Sequence, residues 1–352
     1  MTRIDPEFGK RLKKYGAFDY DACYNCGTCT SVCSLAKKDE EFPREMVRLS
    51  AIGAKKEIQS SLKPWLCYYC GECSTNCPRS ANPGELMMSL RRWLIASYDW
   101  TGISGLLFRS LTATVVALTI VAVAVIVFAI TMGFDTLTIM RYGHYFEIGA
   151  VTGVFAFILL PNLMRMWYFT IIRPGYKISI KNYAISLKEL FIHMFTQKRS
   201  LGCDNNQKRW FEHFILVIGY LTLLFTTVFL DWFGTESTAI IITGYVVSAI
   251  IFIVTADFVS GRIKKNKEIS KHSRPSDWLF VIWLCLMGLT AFIVRGAIDL
   301  GILEQNLWIY LIHLTVLAQW ALIIVPFGKW THFIYRSFAL YFAKLIYNTQ
   351  TK

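Results

Sequence analysis

Two short runs, CYNCGTCTSVC at residues 23–33 and CYYCGECSTNCP at residues 67–78, contain eight of the ten cysteines of this 352-residue chain. Both runs repeat the spacing Cys-x2-Cys-x2-Cys-x3-Cys. Three thiolates at two-residue intervals surround one face of a [4Fe–4S] cluster, and the fourth reaches a second cluster. The spacing therefore predicts a two-cluster ferredoxin domain in a reducing compartment.

The predicted ligand sets are crossed, because the fourth cysteine of each run reaches the cluster of the other run. Gly27 and Gly71 suit tight turns whose backbone amides approach cluster sulfur. Zinc also accepts Cys-x2-Cys pairs, but two complete four-cysteine runs disfavour it. The first predicted set is Cys23, Cys26, Cys29 and Cys77, and the second is Cys67, Cys70, Cys73 and Cys33.

The remainder of the chain is unusually apolar. Apolar residues make up 54% of the sequence and charged residues 17%, with a mean hydropathy of +0.41 and a net charge of +13. An ordinary soluble enzyme is excluded by this composition. Six apolar stretches have the length of a spanning helix, at about 106–131, 146–171, 211–232, 238–259, 278–299 and 307–328.

The predicted fold class is therefore all-α. Residues 1–104 form an α-helical two-cluster ferredoxin domain, because the segment between the cysteine runs favours helix over hairpin. Residues 105–352 form the second predicted domain, a transmembrane bundle of six spans. Cys203, in a loop, and Cys285, in the fifth span, stand alone and are interpreted as inert.

Basic residues indicate the orientation in the membrane. Segments 173–209, 261–277 and 329–352 carry 8, 6 and 4 Lys and Arg residues, whereas the loops 132–145, 233–237 and 300–306 carry 1, 0 and 0. Positive loops stay in the cytoplasm. The sequence thus predicts a multi-pass protein of the cytoplasmic (inner) membrane, with both termini in the cytoplasm. The charges flank spans instead of forming an aromatic-rich patch, so the partner is membrane lipid and not nucleic acid.

Histidines at membrane depth suggest axial ligands of b-type haem, which needs two imidazoles on facing helices. His213 and His332 both lie at the cytoplasmic ends of spans and form one predicted pair. His144 and His313 lie toward the outer side and form the second. His193 is an alternative partner for His313, and each histidine alone is also compatible with a structural role.

The two histidines of the last span pose a geometric problem. The 19 residues from His313 to His332 span roughly 28 Å of helix, which suits two stacked haems. The same interval turns a straight helix through an offset of about 100°, so the two side chains would not share a face. Pro326 lies between them and can kink or unwind the helix there.

Other polar residues at depth are weaker candidates. Arg295 and Lys329 could bind haem propionates, although simple ion pairing is the first interpretation. Glu147 or Glu212 could relay a quinol proton, and nothing in the sequence singles out either. A membrane anchor or ion-conducting subunit without haem is the alternative from another functional class.

Two stretches carry a resemblance to a known membrane family. HLTVLAQWALIIVPFGKWTHFIYR (313–336) and RWFEHFILVIGYL (209–221) resemble ligand helices of the cytochrome b family that includes the gamma subunit of nitrate reductase. In that family, the two histidines flanking the Pro-Phe segment ligate different haems. A further ligand of the family would fall near Leu223, where this chain has no histidine, and His144 is therefore considered.

The N-terminal part resembles the C subunit of heterodisulfide reductase. The whole fusion is similar to the C subunit (QmoC) of the quinone-interacting membrane-bound oxidoreductases of sulfate reducers. This resemblance implies menaquinol oxidation and partners that are flavin- and Fe–S-containing, heterodisulfide-reductase-A-like subunits (QmoA/QmoB-like). It also implies electron delivery toward adenylylsulfate (APS) reductase in sulfate respiration. A heterodisulfide-reductase-like or sulfite-reduction-linked partner is the alternative.

Overall fold

The structure, a computed structural model, describes residues 4–36, 41–198, 201, 207–229, 237–265 and 268–350. Every regular element in these ranges is a helix, which confirms the all-α prediction. The predicted isolated cysteine Cys203 lies outside the described residues.

The N-terminal domain is built of short helices separated by the cysteine loops and by turns. The longest, α7, has 16 residues and begins at Pro83, whose fixed φ suits a first helical position. Nearly the whole length of this helix is buried, so it forms the centre of the domain. The helices are α1 Phe8–Lys14, α2 Thr28–Ser31, α3 Arg44–Ile52, α4 Lys55–Ser60, α5 Lys63–Leu66, α6 Glu72–Thr75, α7 Pro83–Tyr98 and α8 Ile103–Arg109.

Among the described residues that follow, six helices are long and apolar enough to cross a membrane. The second begins at Thr136, about ten residues before the predicted start, because the Asp135 carboxylate caps it by accepting from the Thr138 amide at 2.8 Å. The six are α9 Leu111–Thr131, α10 Thr136–Ile172, α12 Gln207–Phe229, α13 Thr238–Lys264, α15 Pro275–Asp299 and α16 Leu307–Phe327. Three further helices lie between or after them: α11 Ile180–Thr196, α14 Glu268–Lys271 and α17 His332–Gln350.

The last span ends abruptly after Pro326. Gly328 is extended, and a β-carbon there would lie 2.6 Å from the carbonyl oxygen of Ile324, so a side chain would clash with backbone. A 3-10 turn, Lys329–Thr331, follows, and α17 begins at His332. His313 and His332 therefore belong to different helices, and the helical-phase problem of a continuous span disappears.

An aromatic cluster joins the N-terminal domain to the membrane part. Trp65 of α5, Tyr98 of α7 and Tyr335 of α17 are buried, with ring centroids 5.4–6.4 Å apart. They belong to one hydrophobic core that also includes residues of α10 and α11. Burial of large aromatic surfaces is a major source of packing energy. The N-terminal domain thus shares a core with the membrane helices.

A buried ion cluster strengthens the same junction. The Asp277 carboxylate, at the start of α15, accepts from Arg92 of α7 at 2.6 Å and from Lys329 at 2.7 Å. The side chains of Arg92 and Asp277 are only 5% and 6% exposed. Two cations thus share one buried anion, which is favourable only while all three remain together.

We expect Asp277→Asn to destabilise the folded protein by about 3–5 kcal/mol, because Arg92 and Lys329 would be left as uncompensated buried charges. The measurement is thermal unfolding of the purified protein in detergent. Glu7→Gln is the control, since the Glu7–Lys10 pair is exposed and should contribute less than about 1 kcal/mol. Equal effects of the two substitutions would contradict a stabilising role for the buried cluster.

Candidate functional site

The two cysteine loops have nearly the same backbone. In each, the residue before the second cysteine and the glycine after it have positive φ, and a short helix follows. Glycine is favoured in this left-handed region because it lacks a β-carbon. The residues are Asn25 (58°) and Gly27 (89°) in the first loop, and Tyr69 (57°) and Gly71 (92°) in the second.

Backbone amides are directed at the cysteine sulfurs, as a cluster-binding loop requires. Such donors stabilise the negative charge of thiolates and influence cluster potential. Three of these contacts measure 3.3 Å and run from Asn25 to Cys23, from Tyr69 to Cys67 and from Ala81 to Cys77.

The grouping of the cysteines follows the predicted crossing. The Cys33 thiol interacts electrostatically with Cys67 and Cys70 of the other run. Cys77 in turn interacts with Cys29 of the first run. Burial raises the pKa of the Cys29, Cys33 and Cys67 thiols, which favours their neutral form in the protein without a bound metal. This arrangement supports the crossed ligand sets, which remain a prediction.

A single zinc ion is a poorer fit to the cysteines. Within the part of the chain that the structure describes, no three His, Cys, Asp or Glu side chains converge as one metal ion requires. A tetrahedral zinc site draws its four ligands onto one point. A cubane instead binds thiolates at its separate corners, and the two four-cysteine runs supply the eight thiolates that two clusters need.

The two cysteine sets face different surroundings. Cys26 of the first set is exposed, and the adjacent Tyr24 ring is 72% exposed with the Arg79 guanidinium 4.2 Å from its centroid. Each set has one buried cysteine, Cys29 in the first and Cys67 in the second, but the second set has no exposed member. The first set therefore lies near solvent, where a soluble partner can approach, while the second lies toward the membrane helices.

A large cavity, here called the proximal cavity, lies between the second cysteine loop and the membrane helices. Its volume is about 420 Å³. Tyr68 and Tyr69 of the cysteine loop line one side, and His213 of α12 and His332 of α17 line another. This size falls within the roughly 300–1,000 Å³ of clefts that hold organic ligands.

The histidines of the proximal cavity have the geometry of a metal-binding pair. The ring centroids of His213 and His332 lie 6.4 Å apart, with the rings at 68°. Two imidazoles that bind one metal at roughly 2 Å each have centroids about 6 Å apart. The carbonyl of Lys329 lies 2.6 Å from His332 Nδ1 and can only accept, so Nδ1 carries the hydrogen and Nε2 is the free ligand atom.

Three arginines lie between this pair and the second cysteine loop. Arg91 donates from Nε to the Pro64 carbonyl at 2.7 Å and from Nη2 to the Cys67 carbonyl. Arg209 donates to the carbonyl of Tyr69 at 3.2 Å. The third is Arg336.

Among these three arginines, Arg336 is the one that an anionic ligand would stabilise most. Its Nε and Nη2 atoms are buried and have no hydrogen-bond partner among the described residues. Burial, together with the charges of Arg91 and Arg209, lowers the pKa of Arg336 to about 9. The guanidinium lies 5.6 Å from the centroid of the Tyr68 ring, but a ring does not neutralise a buried cation as an anion would. A negatively charged group, such as a haem propionate, would satisfy it.

A second, smaller cavity, here called the distal cavity, has a volume of about 110 Å³. Tyr220 and Trp330 line both cavities and form the wall between them. His313 of α16 and Glu147 of α10 both line the distal cavity. The other lining residues are Ala150, Val151, Val154, Phe155, Leu223, Leu224, Met287, Ala291, Leu317, Trp320, Ala321 and Val325.

The other predicted histidines lie elsewhere. His144 is half-buried one helical turn before Glu147 and does not line the distal cavity. His193 is buried in α11 and lines neither described cavity. The structure thus brings together the pair His213 and His332, while the pair His144 and His313 remains a prediction.

Several site residues were missed or not singled out from the sequence. Tyr220 follows His213 by seven residues, which places it two turns farther along the same face, and this spacing could have indicated it. Arg91 and Arg336 gave no comparable signal, because their role depends on the packing of distant segments. Lys329, predicted as a propionate ligand, is paired with Asp277 but also lines the proximal cavity.

Glu85 of α7 is another group that sequence reasoning missed. It is 3% exposed and lies in the field of Arg92, Asp277, Lys329 and Arg274. Burial raises the pKa of Glu85 to about 7, against the opposing effect of the cation Arg92. This carboxyl therefore changes charge near neutral pH, close to the junction between the N-terminal domain and α15.

Residues 19–81 match the family of 4Fe–4S dicluster domains. The N-terminal part is a heterodisulfide-reductase-C-like dicluster domain. It is followed by the six candidate membrane helices, and together these features describe an iron–sulfur electron-transfer domain joined to a membrane helical region. No solved structure gave a significant match to the chain.

Three relatives illustrate the similarity. A protein of Archaeoglobus profundus, named as similar to the heterodisulfide reductase C subunit, is 30% identical over 98 residues, which are 28% of this chain and 52% of the relative. The C subunit of the H(2):CoB-CoM heterodisulfide,ferredoxin reductase of Methanothermobacter thermautotrophicus is 36% identical over 76 residues, or 22% and 41%. The C subunit of the ferredoxin:CoB-CoM heterodisulfide reductase of Methanosarcina acetivorans is 29% identical over 86 residues, or 24% and 34%. The chain thus spans about half or less of the length of these relatives.

We expect Glu85→Gln to unfold at a higher temperature than the wild type at pH 8, with the difference largely gone at pH 5. The pKa of Glu85 in the folded protein lies above the ordinary value of 4.5, so folding favours the protonated carboxyl. The wild type therefore has its full stability below pH 4.5 and loses this contribution as pH rises through about 7. The shift corresponds to roughly 3 kcal/mol. Glu7→Gln is the exposed control, and parallel pH profiles for Glu85→Gln and wild type would contradict the burial argument.

The crossed ligand sets predict which substitutions act together. We expect Cys33→Ala and Cys67→Ala to change the same cluster signal in electron paramagnetic resonance of the reduced protein, and Cys29→Ala to change the other. Iron content should fall in each variant, because a thiolate ligand is lost. Cys285→Ala, in α15, is the control and should keep both signals. If Cys33→Ala and Cys29→Ala altered one common cluster, the crossing would be wrong.

Proposed function

We propose that this chain is the membrane electron-transfer subunit of a respiratory oxidoreductase complex. It exchanges electrons between the menaquinone pool and soluble flavin- and Fe–S-containing subunits. The observation that carries this proposal is the proximal cavity, which places the histidine pair directly beside the second cysteine loop. Membrane helices and the second cysteine loop thus line one cavity.

The residues of the proximal cavity fit a b-type haem. His213 and His332 supply two imidazoles at the right separation, and Lys329 orients the ring of His332. Arg336 and its neighbouring arginines provide cations for the propionates. When bound, a haem supplies one-electron redox chemistry, and the protein controls its position and potential.

The order of sites follows from burial. The second cysteine set adjoins the proximal cavity, and the first set, with exposed Cys26, faces solvent. Electrons would therefore leave or enter the complex at the first set, through a partner that covers Tyr24 and Arg79. The basic loops support a cytoplasmic location for this face and for both termini.

The partners that we propose are heterodisulfide-reductase-A-like subunits, with APS reductase downstream in sulfate respiration. The resemblance of the whole fusion to quinone-interacting oxidoreductases supports this choice. The names of the relatives favour a second candidate, a heterodisulfide-reductase-like complex with the same cofactors and a different soluble partner. Co-purification and identification of the associated subunits separates the two.

We expect His213→Ala and His332→Ala each to remove the same low-spin b haem, because each variant lacks one of its two axial ligands. The measurement is the reduced-minus-oxidised optical spectrum and haem content of the purified protein. His193→Gln is the control, since that residue lines neither cavity and its variant should keep this haem.

Two results would contradict the proposal. Wild-type protein without haem absorbance would favour a haem-free membrane anchor or ion-conducting subunit. Loss of different haems in the two variants would refute the His213–His332 pair. The second predicted haem, between His144 and His313, would appear as a second haem equivalent.

A further inference from the structure

The distal cavity is small and has aromatic side chains in its lining. Trp320, Trp330 and Tyr220 form its aromatic walls, with Trp320 and Tyr220 centroids 6.0 Å apart and Tyr220 and Trp330 centroids 6.1 Å apart. The Trp320 indole donates to the Tyr220 hydroxyl at 3.1 Å, which fixes both rings. At 110 Å³ it has about a quarter of the 420 Å³ of the proximal cavity. A head group of one or two fused rings suits it better than a macrocycle does.

One ring nitrogen of His313, Nδ1, is used in a hydrogen bond with Thr290, and the other, Nε2, remains available to a ligand. The Thr290 hydroxyl donates to the Leu286 carbonyl at 2.7 Å, so its oxygen accepts from His313 Nδ1 at 2.9 Å. The neutral ring therefore carries its hydrogen on Nδ1, and Nε2 keeps its lone pair. This nitrogen can accept a hydrogen bond from a ligand hydroxyl.

Glu147 gives the cavity a second polar group. It lies on α10, and His313 lies on α16, so the two groups approach the cavity from different helices. Nearly all the remaining lining side chains are apolar or aromatic. An apolar pocket with two polar groups on separate walls is the usual design of a site that orients one organic ligand.

The cavity reaches the lipid-facing surface of the bundle beside Phe155, whose side chain is 43% exposed. Two π-helical segments border it, Phe155–Leu159 in α10 and Trp320–Ile324 in α16. Single-turn π segments inside α-helices are frequent at functional sites, because they displace side chains from the regular register. A hydrophobic ligand could enter from the membrane at this position.

We propose that the distal cavity binds the ring of a quinone or quinol, with its two ring oxygens at His313 Nε2 and at the Glu147 carboxyl. This inference rests on the proposed function for the exchange of electrons with a quinone pool, and it assigns that exchange to one site. Tyr220 and Trp330, which line both cavities, place the bound ring one side-chain layer from the proximal cavity.

The site competes with the predicted second haem, because both would occupy the space beside His313. A second haem needs another axial ligand, and Leu223 lines the cavity where the resembling family has one. His144 lies one turn away along α10, with its half-buried ring 6.3 Å from that of Tyr145. The acid Glu147 lines the cavity where His144 does not, and a carboxylate suits a quinol hydroxyl better than a haem iron.

The test uses 2-heptyl-4-hydroxyquinoline N-oxide, a fluorescent two-ring quinol analogue, titrated into the purified full-length protein in detergent. Fluorescence quenching should report one binding site in the wild type. We expect Glu147→Leu and His313→Leu each to weaken binding by about tenfold, the value of one lost hydrogen bond of about 1.4 kcal/mol. The optical spectrum of the proximal haem should be unchanged, which shows that the variants fold.

Two controls make the result specific. Glu304→Gln changes an exposed acid in the loop after α15 and should leave the affinity for the analogue unchanged. His144→Leu should leave both the affinity and the haem content unchanged. Loss of a haem equivalent in both His144→Leu and His313→Leu would overturn the proposal in favour of the second haem. Unaltered affinity in Glu147→Leu and His313→Leu would overturn it as well.

The outcomes also separate this inference from the proposed function. Protein without haem that still binds the analogue, and loses that binding in Glu147→Leu, would support the quinone site and refute the haem site. Protein that contains the proximal haem, and whose Glu147→Leu variant binds the analogue as tightly as the wild type does, would support the haem site and refute the quinone site.

Discussion

The buried carboxylate of Asp277 is the contact on which the relation between the two parts of the protein depends. It binds Arg92 of the N-terminal domain and Lys329 of the break between α16 and α17. One anion therefore joins three segments that are remote in sequence. Breaking such a contact leaves buried charge behind, so the junction resists sliding more than an apolar contact would. With the junction held, the second cysteine loop faces the proximal cavity.

Positive charge is concentrated where that junction meets the proposed cofactors. Arg91, Arg209 and Arg336 lie near one another in a region of low dielectric constant, an arrangement that is unfavourable for the protein alone. Binding of anionic clusters and haem propionates nearby would make this arrangement of arginines favourable. Binding of the cofactors and stability of the junction are thus expected to be coupled, and the arginines belong to both.

Departures from regular helix create the two cavities. Pro326 and Gly328 end α16, and the new helix presents His332 at an angle that a continuous span would not allow. The π segments bordering the distal cavity shift the side chains around it in a similar way. Regular helices would have packed these positions together. The two cavities of the membrane part therefore lie where its helices are irregular.

The cofactor chemistry of the N-terminal domain could be predicted from sequence, because thiolate spacing along a short loop determines which sulfurs can share a cluster. The six spans could also be predicted, because an apolar run has one stable state in lipid. His213 and His332 were predicted to lie at one depth, and the helix break before α17 accompanies the 6.4 Å separation of their rings. His144 illustrates the limit, since depth alone could not show that Glu147, one turn farther, faces the cavity.

The sequence by itself thus determined the dicluster domain with its eight cysteines, the helical class and the approximate spans, all of which follow from local spacing and composition. Only the tertiary structure decided which histidines meet, which arginines surround them and which acid shares the distal cavity with His313. The physical reason is that these contacts join segments tens to hundreds of residues apart. Their geometry depends on helix ends, kinks and packing angles that no local pattern records.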